Sequence, residues 1–193
     1  MPSQDIKYTT RNNETFDGYL TEPDGDGKFP GLLYITAISG ADETNKMLGD
    51  AWAKDGFVVS MPDIFWRQHP GPTADREIAQ ARYKAFDAEQ GMLDIEDIIN
   101  DLKSRPNCNG KIAVLGFCFG GRYAHLCAAR LGVNAAGAFH GQQRCPWHGR
   151  PLTRCLPLRR QQRGNRAGGV VVAAARPRPL TKRRRLAGAA VGA

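Results

Sequence analysis

The sequence lacks any run of about 18 apolar residues, the length that a membrane-spanning helix requires. Its start, MPSQDIKYTTRNNET, is polar and does not contain the apolar segment of a secretory signal. The five cysteines include no C-x-x-C pair, and Cys145, His148 and Cys155 do not match a zinc pattern. We therefore expect a cytoplasmic protein without a membrane span, whose cysteines are reduced thiols.

Acidic residues are missing from the second part of the chain. Residues 1–140 contain all 19 Asp and Glu residues and 14 of the 27 Lys and Arg residues, whereas residues 141–193 contain the other 13 basic residues and no acid. This second part is rich in Arg, Ala, Gly and Pro, and only VVVAAA at residues 170–175 is compatible with a strand. We divide the chain into a domain at 1–141 and a basic tail at 142–193, which we expect to be disordered or read in a shifted frame.

Within residues 1–141, the apolar pattern predicts an opening hairpin at residues 5–22 and then alternating strands and helices. The predicted strands are residues 29–37, 57–61, 111–117 and 135–141. The predicted helices are residues 42–55, 74–88, 90–104 and 120–131. This order predicts an α/β fold, with a mostly parallel sheet, helices on both faces and binding groups at the carboxyl ends of the strands.

Two of the predicted helices have a defined apolar side. In residues 42–55 it consists of Met47, Leu48, Ala51 and Trp52. In residues 90–104 it consists of Met92, Ile95, Ile99 and Leu102, with Ile98 beside them.

The stretch AVLGFCFGGRYA (113–124) places a cysteine between a predicted strand and a predicted helix. The glycines Gly116, Gly120 and Gly121 surround Cys118, which is the context of a nucleophile elbow. Such a strained turn lifts the nucleophile above the sheet edge and directs the next backbone N–H, on Phe119, at a developing oxyanion. The start of the following helix also favours a thiolate. The alternative is a buried structural cysteine beside a turn in which glycines allow close packing.

Three stretches occur in the order and spacing of a known family: MPDIFWRQHPG (61–71), YKAFDAEQGMLDIEDI (83–98) and VLGFCFGGRYA (114–124). On these residues the sequence resembles the dienelactone hydrolases, the carboxymethylenebutenolidase branch of the α/β-hydrolases, over about residues 5–141. The resemblance implies an α/β-hydrolase fold whose C-terminal third is missing or replaced here. It also implies hydrolysis of an enol-lactone or related carboxylic ester through a Cys-His-Asp triad, without a metal or organic cofactor.

The resemblance implies four site residues in this sequence. Cys118 is the nucleophile, and the N–H groups of Phe119 and Ile38 form the oxyanion hole. Arg67, in the WRQHPG loop, binds a carboxylate on a small ester or lactone substrate, because a guanidinium matches the two oxygens of a carboxylate. The alternative for Arg67 is a surface arginine in a long loop.

The sequence departs from the family at the residues that would activate Cys118. No Asp or Glu follows Cys118, and the family's "PxLxxxGxxD" and "GHxF"-like segments are not found. The Glu that usually precedes the oxyanion-hole residue is replaced by Ala37. We therefore expect hydrolysis by this chain to be impaired.

The sequence contains four histidines, and three of them follow Cys118. His125 lies on the same predicted helix as Cys118, so we expect it to pack or to face solvent. His140 closes the next predicted strand and is the strongest substitute base among them, because it can lie at the carboxyl edge of the sheet. The alternative, which we favour, is a polar residue that only ends the strand. His148 belongs to the tail, and His69 belongs to the WRQHPG loop, where it can line the pocket.

Two alternative functions stay open. A scaffold that only binds in its pocket would react with a thiol probe without turning over esters. The basic segments RQQRGNR and TKRRRL could instead bind nucleic acid or another anionic surface. We favour this second alternative least, because the tail has no recognisable module and no interleaved aromatic residue beyond Trp147. The oligomeric state does not follow from the sequence.

A shift of the coding frame near residue 141 would explain the abrupt loss of acidic residues. We expect translation of the gene in one of the other two frames to restore a strand followed by Asp and a Gly-His motif. If neither frame restores them, the hypothesis of a shifted frame is wrong.

Overall fold

Seven strands form one sheet in the computed structural model, which describes residues 2–139 and 171–174. The strands are β1 (Ser3–Thr9), β2 (Thr15–Thr21), β3 (Phe29–Ile35), β4 (Val58–Pro62), β5 (Cys108–Phe117), β6 (Ala135–Phe139) and β7 (Val171–Ala174). Their order across the sheet is β1-β2-β4-β3-β5-β6-β7. The central strands β4, β3, β5 and β6 run parallel, whereas β2 is antiparallel to both β1 and β4, and β7 is antiparallel to β6.

The predicted alternation of strands and helices is confirmed. The helices are α1 (Glu43–Lys54), α2 (Arg76–Ala85), α3 (Ala88–Ser104) and α4 (Phe119–Arg130). The strand β7 falls within the segment predicted at residues 170–175. The predicted boundary at residue 141 and the rest of the tail lie outside the described residues. In the described part of the chain, no helix has the length and apolar character needed to cross a membrane.

The first three helices begin in the same way, whereas the last one differs. Asp42, Asp75 and Asp87 each accept a hydrogen bond from an N–H of the first turn of α1, α2 and α3, respectively, and so act as N-caps. At the start of α4 the N-cap position is occupied by Cys118, which makes no side-chain capping bond. The first amides of α4 are therefore not satisfied by the side chain at the cap.

The core lies on both faces of the sheet. Leu33 and Ile35 of β3 pack with buried residues of α3 and α4 on one face. Leu32 and Tyr34 alternate with them and pack with Ala53 of α1 on the other face. The apolar stripe predicted on α3 is confirmed, since all five of its residues are buried. Helices therefore cover both faces, as the sequence predicts.

The apolar side predicted for the first helix is confirmed only at Trp52, which packs against Tyr34, and is wrong at the exposed residues Met47, Leu48 and Ala51. Met47 is 72% exposed and Leu48 is 37% exposed, whereas the buried residues of α1 are Gly49 and Ala53. A Cβ added at Gly49 would lie 3.1 Å from Cε of Met61, on the adjacent strand β4. The helix approaches the sheet through its small residues, and this close approach turns the larger side chains of Met47 and Leu48 outward.

The turn between β5 and α4 places Cys118 at the carboxyl end of the sheet. Ile35 pairs with Gly116 where β3 and β5 end, and the N–H of Cys118 donates to the carbonyl of Phe139 over 2.8 Å. Cys118 has a φ of 51°, a left-handed conformation that is rare for residues other than glycine. A Cβ added at Gly116 would lie 2.0 Å from the carbonyl oxygen of Gly120. A Cβ added at Gly120 would lie 1.9 Å from the carbonyl oxygen of Ile35. The strained turn therefore depends on glycine at both positions.

We expect Gly116→Ala to lower the free energy of unfolding by more than about 3 kcal/mol, because its Cβ would overlap backbone atoms that no side-chain movement can relieve. Gly110→Ala is the matched control on the same strand, since Gly110 has a φ of 79° and no atom within 4 Å of an added Cβ. This control should cost only about 1–2 kcal/mol of conformational strain. Urea denaturation measures both values, and equal losses would contradict the close packing of this turn.

Candidate active site

The thiol of Cys118 is exposed and lies in a cavity of about 370 Å³. The cavity is lined by Ile38, Gln80, Tyr83, Lys84, Cys118, Phe119 and Arg122. These residues come from the loop after β3, from α2 and from the start of α4. The structure therefore brings together three of the four site residues predicted from the sequence, namely Cys118, Phe119 and Ile38.

The two residues predicted to form an oxyanion hole, Ile38 and Phe119, line the cavity. Phe119 is the first residue of α4, so that its N–H has no acceptor within the helix. Within the described residues, the N–H of Ile38 donates to no protein acceptor. The ring of Phe119 is held by Phe65, Phe86 and Tyr123, whose ring centroids lie 4.7, 4.9 and 4.7 Å away. Packing of the ring fixes the residue that carries the first amide.

The charged residues that line the cavity are cationic. Lys84 and Arg122 contribute positive charge, and no Asp or Glu of residues 2–139 belongs to the lining. Nε of Arg122 is buried and has no hydrogen-bond partner in the described part of the chain. A buried donor without a partner is costly. Sequence reasoning missed this residue, although its position one helical turn after Cys118 places it on the same side of α4.

The structure places Arg67 in an ion-pair network and not among the residues that line the cavity. Its guanidinium donates to both oxygens of Glu14 over 2.9 and 2.6 Å, and Nε donates to Asp94 over 3.0 Å. Asp94 also accepts hydrogen bonds from Trp66 and Gln90. The hydrogen bonds from Arg67 lower the pKa of Glu14. Binding of a substrate carboxylate by Arg67 stays a prediction, and such a carboxylate would compete with two protein carboxylates.

No histidine of residues 2–139 lines the cavity. His125 is 5% exposed, and burial lowers its pKa because the imidazolium form is disfavoured away from water. It packs in the core, which is one of the two places expected for it. His69 is exposed and lies outside the lining. His140 and His148 lie outside the described residues. In the described ranges there is also no cluster of His, Cys, Asp and Glu that could hold a metal ion.

Comparisons with known proteins point to one family. A sequence model of the dienelactone hydrolase family matches residues 16–161. A carboxymethylenebutenolidase of Pseudomonas putida is 37% identical over 149 residues, which cover 73% of this chain and 62% of that protein. Carboxymethylenebutenolidase 1 of Cupriavidus pinatubonensis is 31% identical over 147 residues, with the same coverage of 73% and 62%. The chain therefore spans about three fifths of the length of these relatives.

Solved structures agree on the fold. A putative dienelactone hydrolase from Klebsiella pneumoniae superposes with a TM-score of 0.58 at 20% identity, covering 67% of this chain and 56% of that chain. The α/β hydrolase GrgF from Penicillium superposes with a TM-score of 0.53 at 24% identity, covering 67% and 42%. At these identities the likeness concerns the fold, and it agrees with the mostly parallel sheet described above.

We expect iodoacetamide at pH 8 to alkylate Cys118 at least about a hundredfold faster than Cys127. Cys127 is fully buried, and burial raises the pKa of its thiol to about 12. Peptide mapping by mass spectrometry follows each cysteine separately, including Cys145 and Cys155 outside the described residues. Equal labelling of Cys118 and Cys127, or no labelling of Cys118, would contradict an open thiol in the cavity.

Proposed function

Since the chain belongs to the dienelactone hydrolase family, we propose that it cleaves a carboxylic ester or lactone with Cys118 as the nucleophile. The observation that carries the proposal is the exposed thiol at a strained strand–helix turn, in one cavity with Ile38 and Phe119. Residues other than glycine that have a left-handed backbone occur preferentially at functional sites. The turn directs the sulfur outward and leaves the first amide of α4 beside it.

The first chemical step follows from this arrangement. The thiolate sulfur of Cys118 attacks the carbonyl carbon, forming a C–S bond, and the carbonyl π electrons move to the oxygen. The N–H groups of Ile38 and Phe119 are the proposed donors to this oxyanion. The carbonyl reforms, the ester C–O bond breaks, and the leaving oxygen takes a proton from water. The thiol loses its proton to solvent before the attack, because no His, Asp or Glu of residues 2–139 lines the cavity to take it.

The second step is where this chain is expected to be slow. Water must attack the carbonyl of the thioester, releasing the carboxylic acid and restoring the thiol. This attack normally needs a base that removes a proton from the water, and residues 119–193 contain no Asp or Glu to orient such a base. Attack by sulfur suffers less, because a thiol is already a few per cent ionised near neutral pH. We therefore expect acylation of Cys118 and slow release of the acid.

The cationic lining supports a substrate that carries a carboxylate. Lys84 and Arg122 line the same cavity as Cys118, and Nε of Arg122 lacks a partner in the described residues. An ester with a carboxylate near its reacting carbonyl would pair with this guanidinium. Arg67 is the other candidate, but its guanidinium already binds Glu14 and Asp94. The geometry therefore favours Arg122 as the carboxylate-binding residue.

We expect p-nitrophenyl acetate and the anionic mono-p-nitrophenyl succinate to release a burst of about one nitrophenolate per chain, followed by slow turnover. Arg122→Gln should lower the burst rate for the anionic ester about fivefold relative to the neutral one, the loss of a partly exposed ion pair of about 1 kcal/mol. Stopped-flow absorbance measures the rates, and mass spectrometry locates the acyl group on Cys118.

Cys118→Ser should remove the burst, whereas Arg76→Gln is the matched control for charge, because Arg76 is an exposed arginine at the start of α2. If Arg67→Gln lowers the relative burst rate for the anionic ester fivefold and Arg122→Gln does not lower it, the carboxylate binds at Arg67. Rapid labelling of Cys118 by iodoacetamide without acylation by either ester would favour the non-catalytic scaffold. A burst that survives Cys118→Ser would contradict the proposed nucleophile.

A further inference from the structure

Arg82 of α2 is 2% exposed, an unusual environment for a guanidinium. Its hydrogen-bond acceptors are backbone carbonyls, and no carboxylate of the described residues forms an ion pair with it. Its charged group also lies over the ring of Phe65, with Cζ 4.6 Å from the ring centroid. Burial lowers the pKa of Arg82, while the negative charge of Asp63 acts in the opposite direction.

The carbonyls that Arg82 binds belong to two separate loops. Nε and Nη2 both donate to the carbonyl of Ile38, with Nε at 2.7 Å. Nη1 donates to the carbonyls of His69 at 3.2 Å and Gly71 at 2.7 Å. One side chain thus connects the loop after β3, which carries the amide of Ile38, to the WRQHPG loop. The planar fork of donors permits this arrangement.

The peptide groups on both sides of Ile38 are held in place. The carbonyl of Ala37 belongs to the same peptide as the N–H of Ile38, and it accepts a hydrogen bond from Gly40 over 3.0 Å. The carbonyl of Ile38 belongs to the next peptide and accepts the two donors of Arg82. The N–H of Ile38 therefore lies between two hydrogen-bonded carbonyls, those of Ala37 and Ile38, and its direction depends on both.

The second loop is itself rigidly built, so that it can serve as a support. The carboxylate of Asp63 accepts hydrogen bonds from the N–H groups of Phe65 over 3.1 Å and Gly71 over 2.6 Å. The N–H of Thr73 donates to the carbonyl of Ser39 over 2.8 Å, which adds a second link between the two loops. The loop can therefore hold the guanidinium of Arg82 in place while the same group binds the carbonyl of Ile38.

We propose that Arg82 is a positioning residue that aims the amide of Ile38 at the oxyanion by linking its carbonyl to the WRQHPG loop. The proposal rests on the function proposed above, because it gives this amide the role of oxyanion donor. Arg82 does not line the cavity and need not touch the substrate. Its effect should therefore be specific to reactions in which a carbonyl oxygen becomes negative.

Two reactions of the same thiol separate this role from a general structural one. Acylation of Cys118 by p-nitrophenyl acetate passes through an oxyanion, whereas alkylation by iodoacetamide is a displacement at carbon that forms none. Arg82→Lys keeps the charge but replaces the planar fork by one ammonium group with three donors, which cannot reproduce the four hydrogen bonds of Arg82. We expect it to slow acylation at least about tenfold, since losing one oxyanion donor costs about 10²–10³-fold, and to change alkylation less than twofold. Equal losses in both rates, or an unchanged acylation rate, would overturn the proposal.

A second variant disturbs the same contact from the other side. A Cβ added at Gly40 would lie 3.1 Å from Nη2 of Arg82, 3.1 Å from Cα of Pro72 and 3.2 Å from the carbonyl oxygen of Gly71, which itself accepts from Arg82. Gly40→Ala should therefore loosen this joint between the two loops, slow acylation and spare alkylation. Gly110→Ala is its control, because Gly110 has a similarly positive φ and open space around it. Arg76→Lys is the control for the arginine substitution, and neither control should change either rate. If Arg82→Lys does not fold, as judged by circular dichroism, Gly40→Ala decides, and an unchanged acylation rate there would overturn the proposal.

Hydrogen exchange tests the link without ester chemistry. In Arg82→Lys, or in Gly40→Ala if that variant alone folds, we expect faster exchange in peptides covering residues 36–42 and 68–73, and no change in β5. Unchanged exchange at residues 36–42 would show that Arg82 does not hold this loop. If the unmodified chain is not acylated at all, the proposed function fails, whereas this measurement still supports or rejects the link.

Discussion

The site depends on one close backbone packing at the end of β5. Gly116 and Gly120 bring the start of α4 against the carbonyl of Ile35, and an added Cβ at either glycine would lie 2.0 Å or less from a backbone oxygen. Cys118 lies midway between these two glycines, and the packing holds it in a left-handed conformation. The exposed thiol, the uncapped amide of Phe119 and the nearness of the loop after β3 all follow from this contact.

Around this turn, the rest of the cavity is built by elements that are distant in sequence. The loop after β3 supplies Ile38, and α2 supplies Lys84 at the cavity and Arg82 behind it. The helix α4 adds Arg122, whose Nε has no partner among the described residues. Cationic charge in the cavity and fixed amides beside a thiol fit the same chemistry, the attack of sulfur on an anionic ester.

Local signals predicted much of this molecule, and long-range contacts account for most of the differences. The strands, the helices and the turn at Cys118 follow from apolar periodicity and glycine spacing, which act within a few residues. The outward position of Met47 does not, because it results from the close approach of Gly49 to β4. The partners of Arg67 also do not follow from local signals, because they come from the β1–β2 turn and α3. The burial of Arg82 does not either, because its acceptors are carbonyls of distant loops. No local sequence pattern predicts that an arginine will be buried and bind backbone oxygens.

We propose above all that the sulfur of Cys118 holds an acyl group whose carbonyl oxygen accepts hydrogen bonds from backbone amides. Infrared spectroscopy of a ¹³C-labelled acyl group on Cys118 tests it most directly, because hydrogen bonds to a thioester carbonyl lower its stretching frequency. We expect the band to lie at lower frequency in the folded protein than in the same acylated protein after denaturation in urea. The same frequency in both states, or no acyl group on Cys118, would contradict the account.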